Sequence, residues 1–280
     1  MIISIASGKG GTGKTTVAVN LALSLAGNQP IQFLDCDVEE PNAHFFLKPE
    51  ITKRKEVSLP IPEILEDKCT FCGECAEVCA YNAIAVLKDN VLVFPELCHG
   101  CGGCSLLCPE EAIQEKGQRI GDIEFGTAND IQFIHGKLDI GQAMSPPLIR
   151  EVKKHMNSTR TIIIDAPPGT SCPVVESVKG SDFSLLVTEP TPFGLNDLRL
   201  AYETLNKLDI PCGVVINRAD IGDKQVEEYC LEQSIPALMT IPMDRNFAVA
   251  YSKGETIIEI QPDYREKFRE LYRKIVAIKK

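Results

Sequence analysis

Residues 8–16, GKGGTGKTT, are the feature that most constrains what this chain can fold into. They lie between a short β-branched apolar run, IISIAS, and a segment with apolar residues at helical spacing, TTVAVNLALSLA. Gly8, Gly13, Lys14 and Thr15 fit the pattern G-x-x-x-x-G-K-[ST], which is typical of a loop that joins a strand to a helix and binds phosphate. We therefore predict a nucleotide site for ATP, with GTP as the alternative, and for Mg²⁺.

The residue types of this loop explain the chemistry. Glycines let the backbone curl so that its N–H groups point at phosphate oxygens, and the helix N-terminus adds a favourable dipole. We expect Lys14 to contact the β- and γ-phosphates and the Thr15 hydroxyl to ligate Mg²⁺. The alternative is a glycine-rich turn without a ligand. The predicted nucleotide-binding residues of the loop are Gly8, Gly10, Gly11, Thr12, Gly13, Lys14, Thr15 and Thr16.

Further apolar runs end in polar residues and alternate with helical stretches such as residues 196–208. The runs are IQFLDCD, TIIIDAPPG, FSLLVTEPT and CGVVINR. This alternation predicts an α/β fold with a mostly parallel sheet flanked by helices, whose functional groups collect at the C-terminal ends of the strands. A net charge of −10 argues against non-specific nucleic-acid binding. No apolar run is long enough to cross a bilayer and no leader is visible, so we expect a cytoplasmic protein.

Eight of the twelve cysteines lie between Cys69 and Cys108, in two runs that repeat after 29 residues, CTFCGECAEVC and CHGCGGCSLLCP. The 2-2-3 spacing of both runs matches the bacterial two-cluster ferredoxin pattern, in which the fourth cysteine of each run ligates the other cluster. The pattern implies two [4Fe-4S] clusters, one held by Cys69, Cys72, Cys75 and Cys108 and one held by Cys98, Cys101, Cys104 and Cys79. Two four-cysteine zinc sites are the alternative.

The cysteine block interrupts the strand–helix alternation. The prolines in KRKEVSLPIPEILED, which precedes it, predict a linker. We therefore expect an inserted ferredoxin domain at residues 59–117, within a nucleotide-binding domain made of residues 1–58 and 118–280.

Lys9, which follows Gly8, makes the loop KGGTGKTT resemble the deviant phosphate loop of the MinD/ParA/Mrp family of P-loop ATPases. The resemblance covers the chain except the cysteine block. It implies a dimer that closes on ATP, in which Lys9 reaches the partner's phosphates; a solvated surface charge is the alternative. It also implies that Asp37 orients the attacking water and that Asp35 supports the magnesium site; acids that cap the following turn are the alternative.

Three further segments carry the resemblance. Asp165, at the end of TIIIDAPPGT, matches the Walker B acid that holds Mg²⁺ beside a second switch loop. Asn217 and Asp244 lie where family members contact adenine, and a turn or cap role is the alternative.

The tail at residues 263–280 puts apolar side chains on one helical face, so it either docks on its own domain or binds a membrane. We favour docking. We expect Cys172 to have a packing or redox-neutral role, and a metal-responsive role in a dimer is the alternative.

Together these features resemble MinD-superfamily ATPases with an inserted ferredoxin domain, of the CobQ/CobB/MinD/ParA nucleotide-binding family. The resemblance implies a Mg²⁺-dependent ATPase that gates electron transfer from, or cofactor assembly on, two [4Fe-4S] clusters. The alternatives are an iron–sulfur cluster carrier of the Mrp type and a MinD-like positioning protein with a redox-sensing insert. The expected partners are a second copy or a related ATPase, and a redox or metalloprotein; nucleic-acid and membrane partners are not expected.

Overall fold

The computed structural model describes residues 1–279. The strands of this part of the chain are β1 (Ile2–Ala6), β2 (Ile31–Asp35), β3 (Glu50–Ile64), β4 (Ile84–Val86), β5 (Val91–Val93), β6 (Ile113–Ala128), β7 (Ile131–Leu138), β8 (Thr161–Asp165), β9 (Phe183–Thr188), β10 (Cys212–Asn217) and β11 (Ala237–Ile241). Nine of them form one sheet in the order β11-β10-β9-β1-β8-β2-β7-β6-β3. The pairs from β11 to β7 are parallel, whereas β6 and β3 are added antiparallel at one edge. The predicted α/β fold with a mostly parallel sheet is confirmed.

Helices cover both faces of the sheet, and two further short helices, α3 and α4 in the list that follows, lie in the cysteine block. They are α1 (Lys14–Leu25), α2 (Ala43–Leu47), α3 (Glu74–Glu77), α4 (Gly103–Leu106), α5 (Pro146–Lys153), α6 (Cys172–Val178), α7 (Pro192–Lys207), α8 (Gln225–Glu232), α9 (Arg245–Ser252), α10 (Ile257–Ile260) and α11 (Tyr264–Lys279). One face packs against α1, α2, α10 and α11, with Phe33 stacked on Phe133 at 6.1 Å between ring centroids. The other face packs against α5, α6, α7 and α8. Burial on both faces explains why the strands are apolar throughout rather than alternating.

The C-terminal helix docks on its own domain, as we expected. Phe268, Leu271 and Ile275 of α11 are buried against the α1 side of the sheet, and each such side chain stabilises the fold by about 1.5–3 kcal/mol. Arg269 Nε also donates to the Ser24 carbonyl at 2.9 Å. Lys280, the last residue of the predicted tail, lies outside the described residues. None of the helices in residues 1–279 is long and apolar enough to cross a membrane.

The predicted linker before the cysteine block is wrong. Residues 50–64 form β3, which pairs along its length with β6 as a two-stranded antiparallel ribbon. Pro60 and Pro62 are tolerated because β3 is the last strand of the sheet, and an edge strand can point a missing N–H away from its partner. The expected domain boundaries at 58/59 and 117/118 therefore fall inside β3 and β6.

We call the β3–β6 ribbon the arm. The cysteine block lies at its far end. Residues 65–112, which we call the cysteine module, contain α3, α4 and the β4–β5 hairpin. A small apolar cluster of Ile61, Ala83 and Cys98 joins the module to the arm. One continuous sheet thus extends from β11 to the strands that carry the cysteines.

Candidate functional site

The predicted phosphate loop joins β1 to α1. Gly13, immediately before α1, has φ +93°, a left-handed conformation that side chains rarely adopt. A Cβ at Gly13 would lie 2.4 Å from Asn217 Nδ2, and one at Gly8 would lie 2.3 Å from the Asp197 carbonyl oxygen. Glycine is required at both positions, because the β10 side chain and the α7 backbone pack directly on the loop.

A cavity of about 440 Å³ opens in front of this loop. The loop, the segment after β2 and the segments after β10 and β11 form its walls. The predicted residues that line it are Gly10, Gly11, Gly13, Lys14, Thr15, Thr16, Asp37, Asn217 and Asp244. Arg218, Phe247 and Tyr251 also line it, although no sequence pattern indicated them. Gly8 and Thr12 support the loop instead, and Lys9 lies outside the cavity of its own chain.

Lys14 is buried at the base of the cavity between two carboxylates. Its Nζ lies 3.2 Å from Asp165 Oδ1 and 3.7 Å from Asp37 Oδ2. Burial alone lowers the pKa of Lys14, but the charges of Asp165 and Asp37 outweigh burial and the pKa is raised. The ammonium group is therefore charged and available to phosphate oxygens.

Asp165 provides the clearest sign of a cation site. Its side chain is fully buried, and Oδ2 has no hydrogen-bond partner among the described residues. A buried carboxylate oxygen without a partner is costly, and carboxylate and hydroxyl oxygens are the ligands that Mg²⁺ prefers. Asp165 and the cavity-lining Thr15 therefore fit a Mg²⁺ ion in the donor atoms that they offer.

Asp35 is the register partner of Asp165, and its carboxylate accepts hydrogen bonds from backbone N–H groups. Oδ1 accepts from the Asp37 N–H at 3.1 Å, and Oδ2 accepts from the N–H groups of Asn42 and Ala43 at 3.1 and 3.0 Å. Burial, followed by the charge of Asp165, raises the pKa of Asp35 well above its usual range. Asp35 thus holds the loop at residues 36–42 and the start of α2, and its support of Mg²⁺ stays a prediction.

Asp37 lies on the cavity wall beside Lys14. Burial raises its pKa to about 6; the Lys14 charge opposes the shift and the Asp165 charge adds to it. A carboxylate near the phosphate position with such a pKa can accept a hydrogen bond from water at neutral pH.

Asn217 and Asp244 line the cavity while serving structural roles. Asn217 Nδ2 donates to the Thr12 carbonyl at 2.8 Å and so ties β10 to the phosphate loop. Asp244 caps α9, because its Oδ1 accepts from the Asn246 N–H at 2.8 Å. A turn or cap role was the alternative that we gave to adenine contact. Adenine contact stays a prediction for both residues.

The cysteine module brings its eight predicted thiols into two groups. Cys69, Cys72, Cys75 and Cys108 line one small cavity, and Cys79, Cys98, Cys101 and Cys104 line a second. The fourth cysteine of each run thus joins the other run, as the two-cluster pattern predicts. No three Cys, His, Asp or Glu side chains within residues 1–279 converge on the position of a single metal ion.

The sequence repeat is also a repeat of the backbone. Left-handed residues recur at the same 29-residue shift, in the pairs Phe71 and Gly100, Gly73 and Gly102, and Asn82 and Glu111. The N–H groups of Ala83 and Ala112 each donate at 3.3 Å to the sulfur four residues earlier, Cys79 and Cys108. Sulfur atoms that ring a cavity and accept backbone N–H groups fit an iron–sulfur cluster, since such bonds are among the features that tune cluster potential.

The remaining cysteines lie outside these groups. All twelve cysteines of the chain, including these four, are free thiols. Burial raises the pKa of Cys212 and of Cys230 to about 11, so neither is ionised at neutral pH. Cys172 is exposed at the start of α6, so the packing part of our expectation is wrong; its redox-neutral role and the metal-responsive alternative stay predictions.

The sheet is mostly parallel, a phosphate loop joins its first strand to its first helix, and a buried lysine and a buried aspartate lie at the loop. These features define a P-loop nucleotide-binding protein. The chain belongs to the CobQ/CobB/MinD/ParA nucleotide-binding domain family, whose pattern it matches over residues 3–257. It is 31% identical over 274 residues to an uncharacterized protein of Methanocaldococcus jannaschii. The match covers 97% of this chain and 96% of that protein.

Two other comparisons concern activity and fold. The chain is 26% identical over 295 residues to an iron–sulfur cluster carrier protein of Pyrococcus horikoshii, with 98% of this chain and 85% of that protein covered. Its fold is similar to the septum site-determining protein MinD of Pyrococcus horikoshii, solved in complex with Mg-ADP. There the TM-score is 0.62 at 20% identity, and the match covers 100% of this chain and 98% of the other. That likeness supports the fold alone.

Proposed function

We propose that this protein is a Mg²⁺-dependent ATPase that gates electron transfer from two [4Fe-4S] clusters in its cysteine module. The observation that carries the proposal is the combination of two sites on one sheet. The phosphate loop and its acids lie at the ends of β1, β2 and β8, and the eight thiols lie in two groups of four at the end of the arm.

In the nucleotide site, the N–H groups of the loop bind the phosphates and Lys14 neutralises their charge. Thr15 and Asp165 hold Mg²⁺, which supplies charge neutralisation at the transferred phosphoryl group when bound. Asp37 accepts a hydrogen bond from the attacking water and orients it. Lys9, which lies outside the cavity of its own chain, is available to the phosphates of a second subunit in a closed dimer.

In the cysteine module, each group of four thiolates holds one cluster, and the clusters supply one-electron redox chemistry when bound. The sulfur atoms of Cys79, Cys98 and Cys108 each accept a hydrogen bond from a backbone N–H group, and these bonds stabilise negative charge at the sulfurs. The donors are Ala83, Gly100 and Ala112, respectively. Binding and hydrolysis of ATP change the loop at residues 36–42, and the arm connects that side of the sheet to the module.

The test is the rate of electron transfer from the reduced holoprotein to oxidised cytochrome c, measured by anaerobic stopped-flow with ATP, with ADP and without nucleotide. We expect ATP to change the rate and ADP to leave it near the nucleotide-free value. Lys14→Ala is the control that should remove the ATP effect. Equal rates in all three conditions would refute gating.

A carrier role is the second candidate, because several relatives are named iron–sulfur cluster carrier proteins. A carrier must release its clusters, whereas two closed groups of four cysteines should retain them. Incubation with an apo-ferredoxin, followed by iron analysis of both proteins, separates the two functions. Retention of iron favours the gated electron donor, and transfer that depends on ATP favours the carrier.

A further inference from the structure

A row of polar side chains crosses the sheet from the nucleotide cavity to the arm. Strand pairing places Asp165 beside Asp35, Asp35 beside His135, His135 beside Glu124, and Glu124 beside Arg54. Register partners on neighbouring strands lie about 5 Å apart and project from the same face of a sheet. The first four residues of the row are at most 5% exposed, and only Arg54 reaches solvent.

The arm end of the row is tied by direct contacts. His135 Nε2 lies 2.7 Å from Glu124 Oε2, and Arg54 Nε donates to Glu124 Oε1 at 2.9 Å. Charge-assisted hydrogen bonds on both sides of a buried carboxylate are stronger than neutral ones and fix the relative positions of their strands. Glu124 therefore couples β7, in the core of the sheet, to β3 at the edge.

The nucleotide end of the row is tied to the loop after β2. Asp35 binds the N–H groups of Asn42 and Ala43, at the start of α2. The next residue, His44, places its ring 5.3 Å from the ring of His135, in an edge-to-face arrangement. A shift of the loop at residues 36–42 therefore moves α2 against His135.

His135 has a ring nitrogen that is free to form or change a hydrogen bond when α2 shifts. Its ring is 1% exposed, and Nδ1 has no hydrogen-bond partner among the described residues, as is also true of His44 Nδ1. A buried ring nitrogen without a partner is unfavourable, because it has lost its hydrogen bond to water and gained none in exchange. A rearrangement of α2 that changes the surroundings of these nitrogens thus changes the energy of the row.

Beyond Arg54, β3 continues for ten residues before the cysteine module begins. At about 3.3 Å per residue, that length is about 33 Å. A small rotation of β3 at Arg54 would therefore become a larger displacement of the module at the other end of the arm.

We propose that Arg54, Glu124 and His135 are positioning residues that transmit the nucleotide state of the loop after β2 to the arm and its cysteine module. This proposal rests on the proposed function, since it supplies the physical link between hydrolysis and the clusters. None of the three residues lines the nucleotide cavity, so none takes part in the chemistry of ATP.

The test uses the anaerobic holoprotein and hydrogen–deuterium exchange. The measured quantity is the difference in exchange between the states with ADP and with a non-hydrolysable ATP analogue, in peptides from residues 36–47, 50–64 and 113–128. The variants are Arg54→Ala, at a largely exposed side chain, and Glu124→Gln, which keeps the side-chain shape. Lys55→Ala is the matched control, because Lys55 is the neighbouring residue of β3, projects from the other face and also has an acidic partner, Glu151 at 3.6 Å.

In the unsubstituted protein and in Lys55→Ala, we expect a nucleotide-dependent difference in all three regions. In Arg54→Ala and Glu124→Gln the difference at residues 36–47 should remain, while the difference in the arm falls by about fivefold or more, the lower range of coupling between sites. Iron content and ATPase rate should be unchanged in Arg54→Ala.

An arm response that persists in both variants, or that is absent from the unsubstituted protein, overturns the proposed route. Cytochrome c reduction by the same preparations separates this outcome from failure of the proposed function. If the arm responds through Arg54 and Glu124 but ATP leaves electron transfer unchanged, the route stands and gating fails. If electron transfer depends on ATP in all variants, gating stands and the route fails.

Discussion

Gly13→Ala tests how the phosphate loop is held against β10. An alanine at this position must keep φ at +93° and must place its Cβ 2.4 Å from Asn217 Nδ2. The left-handed backbone costs about 1–2 kcal/mol for a residue with a Cβ. The displaced Asn217 also loses its hydrogen bond to the Thr12 carbonyl, which contributes about 0.5–1.5 kcal/mol. We therefore expect a loss of about 2–3 kcal/mol in the free energy of unfolding.

A loss of that size lowers the melting temperature by about 5–10 °C in a domain of this size, which thermal unfolding followed by far-UV circular dichroism can measure. Binding of a fluorescent ATP analogue should weaken in parallel. Gly27→Ala is the matched control, because Gly27 has φ +81° with no atom within 4 Å of the added Cβ and lies at the other end of α1. It should show the backbone cost without the clash.

The decisive comparison is Gly13→Ala in an Asn217→Ala background. Removing the Asn217 side chain removes the clash, so the alanine at position 13 should cost less there than in the natural background. The two substitutions are then less than additive, by about 1 kcal/mol. A cost of Gly13→Ala that is the same in both backgrounds would show that Asn217 does not restrict the loop.

Lys14→Ala should abolish ATP hydrolysis, measured as phosphate release, while iron content stays near that of the natural protein; loss of iron would contradict separate sites. Cys101→Ser should deplete one cluster of iron and keep binding of a fluorescent ATP analogue largely intact, and loss of nucleotide binding together with the iron would contradict the same picture. Because the pKa of Asp37 is raised to about 6, its carboxylate gains a proton as the pH falls through 6, so hydrolysis at saturating ATP should decline between pH 7 and 5.5, and a flat profile would exclude Asp37 as the water acceptor. The pKa of Glu124 is lowered to about 2, because the hydrogen bonds from His135 and Arg54 outweigh burial, which by itself raises it. Its stabilisation is complete above pH 4.5 and is lost as the pH falls towards 2, so Glu124→Gln should lower the melting temperature at pH 7 by about 4–8 °C, from about 2 kcal/mol of lost stability, and an unchanged melting temperature would contradict this contribution.

The parts of the fold that could be predicted from the sequence are those set by local patterns. The phosphate loop is a contiguous motif between a strand and a helix, and Asp165 ends a β-branched apolar run with the pattern of a buried strand. The grouping of Cys79 and Cys108 with the opposite runs is what the match to the two-cluster ferredoxin pattern implies. In the structure the two runs also share the same left-handed positions. For the phosphate loop and Asp165 the residues that define the feature are close in the chain, and for the cysteines the spacing is that of a known pattern.

The arm could not be predicted in the same way. β3 is paired with β6 across the whole cysteine module, and no local signal records a partner that far along the chain. Pro60 and Pro62 favour a linker when the strand is read alone, and only its position at the edge of the sheet permits them. The polar row has the same origin, since His135 and Glu124 become neighbours only when β6 and β7 pair. The three backbone N–H groups that donate to Asp35 are likewise not visible in a residue pattern.

The pairing of β3 with β6 also explains how one chain can contain two cofactor sites without rebuilding either. In topological terms these strands are the two legs of a β-hairpin, and residues 65–112 are its loop. The entropic cost of a loop grows only with the logarithm of its length, so lengthening a tight turn to this size costs about 3 kcal/mol. The loop offsets that cost with its own apolar contacts and, in the proposed cluster-bound state, with eight metal–sulfur bonds. A hairpin tip at the edge of a sheet therefore accepts a whole folding unit while the strand order of the nucleotide-binding sheet stays the same.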